Sequence, residues 1–321
     1  MTYTSGGLIQ ATDYNGFVST TAGANVNDVW ATGASDKGWG QSALATVSAT
    51  NTVTATQWAS LVNTIASMGS QTGTTITART APTAGTTISV LAAVNTDLTN
   101  VTTNRNNAAA VGTQYTGWTG TNSKTATTSG ASWTITFTNT VTFASAAAAR
   151  YFFNAGGLIK LDTAKSSTGN TGDPEWNDLA TTLCGDIYFS GVAASHTIAG
   201  VAYTGTTKIG GTGTPTTLST ATGYYALTPG AAATIIYKQF ADTAPYTANF
   251  IQTSVALDAT SAILTFTTLW SASDGDPITG GTASSGATPG TAPTTICTYF
   301  PPSTTYLSNS WGTPTVAATT A

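Results

Sequence analysis

Residues 133–143 read WTITFTNTVTF, and this stretch decides the fold class of the chain. Thr occupies every even position, and apolar residues occupy every odd position except Asn139. A period of two residues places the apolar side chains on one face of a strand and the Thr side chains on the other. Thr is also β-branched and favours extended backbone. We therefore expect a half-buried strand here.

Further short apolar segments follow toward the C-terminus, separated by Gly, Pro and Asp. They lie at residues 187–189, 201–203, 224–227, 235–237, 250–255 and 263–269. Short strands at this spacing are typical of an antiparallel sandwich. Residues 116–321 are therefore predicted to form an antiparallel β-sandwich. Within it, the Gly-, Thr-, Ala- and Pro-rich residues 280–293 are predicted to form a flexible loop.

A cluster of aromatic residues lies within residues 151–160, which read YFFNAGGLIK. Tyr151, Phe152 and Phe153 are consecutive, so their burial requires contacts on more than one face. Asn154 followed by Gly156 and Gly157 predicts a sharp turn, after which Leu and Ile resume an apolar strand. An Ala-rich bridge over residues 145–150, with room for one helical turn, precedes the cluster. We interpret this segment as a packing centre.

The first 75 residues carry helical patterns instead. Thr12 or Asp13 is predicted to cap a short helix that includes Tyr14, and a Gly-rich loop around Trp39 and Gln41 follows. A second helix begins near Thr54 and ends at one of two Gly residues, 69 or 73. Its apolar stripe recurs at helical spacing and consists of Trp58, Leu61, Val62, Ile65 and Met68.

A third helical pattern over residues 88–110 is diluted by Thr and Asn and needs packing partners to persist. The predicted organisation is thus a helical docking part at residues 1–75, a linker and helix at 76–115, and the sandwich at 116–321. The fold class is α+β, mainly β: a small helical N-terminal part followed by an antiparallel β-sandwich.

The composition is unusually poor in charge. Only 7% of the 321 residues are charged and the formal net charge is −4, whereas soluble domains average about 25% charged residues. A surface of hydroxyls and amides suits a subunit that packs against other subunits, and the alternative is a secreted protein with a Thr-rich surface. Basic residues are scattered singly, which argues against a nucleic-acid partner. We expect no secretory signal peptide and no membrane span.

Residues that could support chemistry are few. His196 is the only His and directly follows Ser195, so a catalytic triad is not expected. Asp173, Glu175 and Asp178 surround a Trp, but they more simply mark a helix start than a glycosidase pair.

The sequence signals for a metal site and for a disulfide are equally weak. The Asp-Gly-Asp sequence at 274–276 favours a plain turn over a calcium site. Cys184 and Cys297 are expected to be buried free thiols, with a single disulfide as the alternative. We predict no enzymatic activity, no cofactor and no metal.

Sugar binding by exposed aromatics is an alternative function. The candidate stacking residues are Trp118, Trp270, Tyr299 and Trp311. On a β-sandwich such side chains more often serve as core or interface anchors.

Three motifs resemble a known family. They are residues 8–15 (LIQATDYN), 38–41 (GWGQ) and 53–61 (VTATQWASL). In this order they resemble virion structural proteins of tailed bacteriophages, particularly those of cyanophages and related marine phages. The segments 143–157 and 305–315 are also similar to this family, the former as a strand-to-turn segment. Trp39 stands where the family usually has Tyr, and Met68-Gly69 where a His is common.

The resemblance implies a non-enzymatic structural subunit that docks to other tail, baseplate or neck proteins and resides in the virion, assembled in the host cytoplasm. Its partners would be other virion proteins and further copies of itself. The alternatives are a head decoration or fibre protein, a tail fibre that binds a host surface glycan or receptor, and a tail hydrolase. Predicted structural or interface anchors are Tyr14, Trp39, Trp58, Leu61, Ile65, Tyr151, Phe152, Phe153, Gly156, Gly157 and Trp311.

Overall fold

The computed structural model describes residues 10–19, 24–85, 91–121, 132–165, 173–273 and 293–320. The helices are α1 (Ala11–Val18), α2 (Val26–Val29), α3 (Ala55–Thr72), α4 (Leu91–Thr103), α5 (Ala146–Asn154) and α6 (Asp173–Asn177). A π-helical segment (Asp178–Leu183) continues α6, and a 3₁₀ turn spans Tyr224–Ala226. The Asp-Gly-Asp turn at 274–276 and most of the predicted loop at 280–293 lie outside the described residues.

The strands follow one another mainly in the C-terminal two thirds. They are β1 (Tyr115–Thr121), β2 (Trp133–Thr142), β3 (Leu158–Ala164), β4 (Asp186–Phe189), β5 (His196–Ile198), β6 (Val201–Tyr203), β7 (Thr206–Ile209), β8 (Thr217–Leu218), β9 (Thr234–Phe240), β10 (Phe250–Leu257), β11 (Ile263–Ala272), β12 (Thr294–Phe300) and β13 (Thr315–Thr320).

Two antiparallel sheets form the body of the protein. The five-stranded sheet has the order β1-β12-β3-β4-β7, and the six-stranded sheet has the order β13-β2-β11-β10-β9-β8. Inward side chains of both sheets belong to one buried hydrophobic cluster, while the β5–β6 hairpin covers part of the outer side of the five-stranded sheet. The predicted mainly β fold with a small helical N-terminal part is confirmed.

The alternation in β2 is present as predicted. Odd-numbered residues from Trp133 to Val141 are buried, and the even-numbered Thr residues are exposed or half-buried. The exception in the sequence pattern, Asn139, also points inward and is fully buried. Neither its Nδ2 nor its Oδ1 has a hydrogen-bond partner among the residues that the structure describes.

Replacing Asn139 with Val is expected to raise the free energy of unfolding by about 1 kcal/mol, because a buried amide without partners costs about 1–3 kcal/mol. Val also has the higher β-propensity. Urea denaturation of the variant measures the change, with Thr138→Val on the opposite face of the same strand as the control. A lower midpoint for Asn139→Val alone would contradict the assignment of an unpaired amide.

The N-terminal helices begin and end by recognisable local chemistry. Gln10, not Thr12 or Asp13, caps α1: its main-chain N–H donates to Asp13 Oδ2 at 3.0 Å. A capping box between Thr54 and Gln57 starts α3, as the position of Thr54 predicts. Of the two Gly candidates, Gly73 ends α3, in the left-handed conformation with φ 67°.

A buried ion pair fixes the segment that joins α3 to α4. Arg79 contacts Asp97, and their side chains are 4% and 5% exposed. Both carboxylate oxygens of Asp97 also accept from the main-chain N–H of Thr77 at 3.2 Å. Arg105, which the helical pattern includes, lies beyond the end of α4 and donates to Asp36 Oδ2 at 3.0 Å. These contacts hold α4 against the rest of the chain.

The aromatic cluster lies on a helix rather than on a strand that precedes a turn. Residues 151–154 form the last part of α5, which starts at Ser145, whose Oγ accepts from Ala148 N–H at 3.1 Å. The strand prediction was wrong because the preceding Ala run has high helix propensity and Ser145 supplies an N-cap. The turn at Gly156 and the strand after it are present as predicted.

Two other local predictions have clear outcomes. Asp173 does begin a helix, and Trp176 and Leu179 are its buried residues. Residues 224–227, predicted as a strand, form a 3₁₀ turn in which the Tyr224 hydroxyl donates to Ser261 O at 2.7 Å. That hydrogen bond closes the turn against the β10–β11 hairpin.

The core runs without interruption from the helices into the sandwich. Tyr14 and Trp58 of the helical part belong to the same buried cluster as Phe137 and Phe266 of the six-stranded sheet. Two tryptophans extend this core at one end of the sandwich, where Trp176 stacks on Trp270 at 5.6 Å. The proposed boundaries at residues 75 and 115 stay a prediction.

Candidate functional site

The predicted anchor Trp39 joins the helical part to the sandwich. Its indole Nε1 donates to Asn154 O at 3.0 Å, and Asn154 Nδ2 donates back to Gly38 O at 3.0 Å. Trp39 is 1% exposed, so its N–H has no access to water and depends on this bond. Two buried hydrogen bonds, one in each direction, therefore join this loop to the C-terminal end of α5.

Polar side chains extend this junction in two directions. Arg150 donates to Thr32 O at 2.8 Å from the middle of α5. Gln41 Nε2 donates to Ser308 O at 2.9 Å, and Gln41 Oε1 accepts from the main-chain N–H of Ser308 at 2.8 Å. The C-terminal segment that carries the buried anchor Trp311 is thereby fastened to the N-terminal loop.

The aromatic residues of α5 plug one end of the sandwich. Phe152 contacts Phe143 at 5.2 Å and Tyr299 at 6.3 Å between ring centroids. Phe153 stacks on Tyr224 at 4.9 Å. The two side chains are 0% and 4% exposed, whereas Tyr151 is half-buried beside the Arg150 guanidinium.

Both positions of the Gly pair after α5 require glycine, because neighbouring side chains lie too close for a Cβ. Gly156 has φ 97°, and a Cβ there would lie 2.5 Å from the Ala108 Cβ. A Cβ on Gly157 would lie 2.5 Å from the Phe152 ring. These two glycines let the chain turn tightly over the aromatic plug.

The helical stripe is not a docking surface. Trp58, Leu61 and Ile65 are each 0% exposed. Trp58 meets Tyr14 edge-on at 5.6 Å, and Trp58, Leu61, Ile65 and Met68 belong to the buried hydrophobic cluster of this chain. The stripe stabilises this protein's own core and presents no surface to a partner. Docking through the exposed side of residues 1–75 stays a prediction.

Two of the proposed sugar-stacking residues are equally enclosed. Trp270 is 0% exposed and Trp311 is 1% exposed. Tyr299 is 2% exposed, so it also presents almost no ring to solvent. The side chain of Trp118 lies outside what the structure describes. None of the three described rings can stack on a sugar.

The single His is a structural residue. His196 lies in β5, and its Nδ1 is 2.9 Å from Ala194 O. Burial lowers its pKa, and the hydrogen bond to Ala194 opposes that shift. No described carboxylate contacts it, so a triad does not form around it.

The two cysteines are buried free thiols, as expected. Burial raises the pKa of Cys184 and of Cys297 to about 12. A thiol that stays protonated is a poor nucleophile and a poor metal ligand. Among the described segments, no group of three or more His, Cys, Asp or Glu side chains is placed to hold a metal ion.

One charged group was missed at the sequence level. On the outer side of the five-stranded sheet, Lys160 Nζ lies 3.2 Å from Asp186 Oδ2 and 3.8 Å from Asp162 Oδ2. Burial raises the pKa of Asp162, the neighbouring Asp186 raises it further, and Lys160 opposes both. The two carboxylates are about 30% exposed, with side-chain values of 29% and 32%. The group forms an ion-paired patch on an open sheet surface.

The outward side of the six-stranded sheet carries a single charged side chain, and we call it the hydroxyl face. Alternation and strand register place the following side chains on it: Ile235, Lys238, Phe240, Phe250, Gln252, Ser254, Ala256, Ile263, Thr265, Thr267, Leu269, Ser271, Thr134, Thr136, Thr138, Thr140, Thr142, Thr315, Ala317 and Thr319. Lys238 is the only charged member, and its ammonium lies over the Phe250 ring at 3.7 Å.

Rows of hydroxyls cross the hydroxyl face at regular spacing. Thr138 is directly opposite Thr267, and Thr140 is opposite Thr265. Successive outward residues on one strand are about 6.6 Å apart, and neighbouring strands are about 4.8 Å apart. Around β2 and the middle of β11 the result is a lattice of short hydroxyl side chains that offers hydrogen bonds without charge. Larger apolar side chains lie beside it, among them Phe240, Phe250 and Leu269.

Comparisons with known proteins found no relative. Neither a family model, nor a curated protein, nor a solved structure matches this chain. Among the described residues, no helix combines the length and the apolar character that a bilayer crossing requires.

Proposed function

We propose that this chain is a non-enzymatic structural subunit of a tailed-bacteriophage virion, and that it associates with neighbouring subunits through the hydroxyl face. The partner is a further copy of this chain, and other tail, baseplate or neck proteins bind elsewhere on its surface. The resemblance of the motifs at residues 8–15, 38–41 and 53–61 suggests the virion. The hydroxyl face is the observation that supports assembly.

The chemistry of the hydroxyl face favours burial against another protein. Removing a lone charge from water costs several kcal/mol unless it is paired, whereas hydroxyls can exchange water for a partner's hydrogen bonds at small net cost. Thr also contributes a methyl group, so the same lattice buries apolar area. A face on which only Lys238 is charged avoids most of the desolvation cost of association.

The size of the hydroxyl face matches a stable interface. Five strands of six to ten residues, at about 4.8 Å spacing and about 3.3 Å rise, give a projected area of about 650 Å², within the roughly 600–1,000 Å² per partner of specific interfaces. The face is therefore large enough for one complete isologous contact between two copies.

A paired charge substitution tests the association. Thr138→Lys with Thr267→Lys places two like charges side by side at the centre of the hydroxyl face. We expect the wild-type chain to form dimers and the variant's dimers to dissociate at least about tenfold more readily. Sedimentation velocity over a concentration series measures this effect. The control, Thr56→Lys with Asn63→Lys, adds the same charge to exposed positions of α3.

Two outcomes would contradict the proposal. One is equal dissociation of the control and the face variant, since the effect would then be net charge alone. The other outcome concerns the location of the protein. We expect it to be a multi-copy component of virus particles purified from the lysate in which it is expressed. Quantitative mass spectrometry that found it only in the particle-free fraction would overturn the assignment.

A further inference from the structure

A groove at the edge of the five-stranded sheet combines one exposed aromatic ring with an uncharged polar rim. It has a volume of about 250 Å³, and Tyr115, Tyr299, Pro301, Thr304, Asn309 and Thr313 are among its lining residues. Tyr115 is 54% exposed, the most exposed large apolar side chain among the described residues. We name this feature the Tyr115 groove.

The exposed ring is rigidly backed. The rings of Tyr115 and Tyr299 lie 4.9 Å apart at 31°, and Tyr299 itself is 2% exposed. The main chain beside them is fixed by the pairing of β1 with β12 and by the Gly112 N–H, which donates to Pro301 O at 2.7 Å. Tyr115 therefore presents one free ring face in a fixed orientation, at little entropic cost on binding.

The rim supplies hydrogen-bonding groups that have no internal use. Thr304, Asn309 and Thr313 are exposed, and none of their side chains is hydrogen-bonded to another described residue. Gly312 leaves open space between them, because a Cβ placed there would meet nothing within 4 Å. Hydroxyl and amide groups around an aromatic platform provide both donors and acceptors within reach of a ligand.

We propose that the Tyr115 groove binds a neutral saccharide, with one pyranose ring stacked on Tyr115 and its hydroxyls held by the rim. No described lining residue is charged, so an acidic or basic ligand would find no counter-ion. The volume lies below the roughly 300–1,000 Å³ of most ligand pockets, which restricts the occupant to one or two sugar units.

A single platform distinguishes this site from a groove for proline-rich peptides. Such peptides need several aromatic troughs in a row. Here Trp311 is 1% exposed and Tyr299 2% exposed, so among the described lining residues Tyr115 is the one ring with a free face. This binding is separate from assembly through the hydroxyl face and does not depend on it.

Saturation-transfer NMR of the full chain tests the proposal. The probes are cellotriose, laminaritriose, mannotriose and chitotriose, with decaproline as the competing peptide. At least one saccharide is expected to bind in the millimolar range. Tyr115→Ala should weaken that binding about tenfold through the loss of one stacking contact, and Tyr115→Phe should retain it.

Tyr306→Ala is the matched control, because Tyr306 is 44% exposed and lies outside the groove. It is expected to leave saccharide binding unchanged. The proposal is overturned if none of the four saccharides binds, if Tyr306→Ala weakens binding as much as Tyr115→Ala, or if decaproline binds more tightly than every saccharide.

Discussion

Replacing Phe152 with Ala is expected to lower the free energy of unfolding by about 3–5 kcal/mol. The side chain is 0% exposed and touches the rings of Phe143, Phe153 and Tyr299. Truncation removes the transfer free energy of the ring and leaves a cavity that α5 cannot close. The Gly157 backbone, which lies against the ring face, loses its support as well.

The loss should be cooperative, because Phe152 connects elements from both sheets. Phe143 follows the six-stranded sheet, and Tyr299 belongs to the five-stranded sheet. Guanidinium denaturation followed by far-UV and near-UV circular dichroism measures the change. Phe153 is 4% exposed, so Phe153→Ala should cost a similar free energy of unfolding. Tyr306→Ala, at an exposed position, should leave the free energy of unfolding unchanged. Wild-type midpoints for both Phe variants would contradict the role of α5 as a plug.

The periodicity of the sequence predicted the features that depend on a single segment of the chain. The alternation of residues 133–143 and the spacing of Trp58, Leu61 and Ile65 each specify an element and its buried face, and both are present. The same patterns cannot say what covers that face. An apolar stripe looks alike whether a partner or the chain's own α1 and α4 bury it, so the sequence could not show that this stripe is buried within the chain.

The error at residues 151–153 arose from a signal that was available. Ser145 followed by four Ala residues is a helix start, since Ser caps the first turn and Ala has the highest helix propensity. The strand prediction came from the resemblance of residues 143–157 to a strand-to-turn segment of the phage family. Tertiary contacts stabilise the helix: on it, the Phe152 ring contacts Phe143 and Tyr299. The Phe153 ring packs on Tyr224.

Features that combine distant strands could not be predicted at all. Alternation in β3 places Lys160 and Asp162 on one face, but Asp186 joins them only through the pairing of β3 with β4. The Tyr115 groove likewise requires the register of β1 on β12. The hydroxyl face could be predicted in part. The Thr repeat of β2 is visible in the sequence, but the pairing that continues the face across four more strands is not.

Replacing Leu61 with Asp is expected to unfold the helical part, with a cost of about 4 kcal/mol or more. Leu61 is 0% exposed on the buried face of α3. The substitution removes apolar contacts and introduces a carboxylate into a cluster of buried hydrophobic side chains. A total stability of about 5–15 kcal/mol leaves little margin for such a loss.

The matched control is Asn63→Asp, which adds the same carboxylate two residues away on the exposed side of α3. Hydrogen exchange should show lost protection in α3 for Leu61→Asp and wild-type protection for the control. Because Trp58 and Trp39 share one cluster with the sandwich, exchange should also rise at Asn154 and in α5. A folded Leu61→Asp protein that failed only to associate would instead restore the stripe as a docking surface.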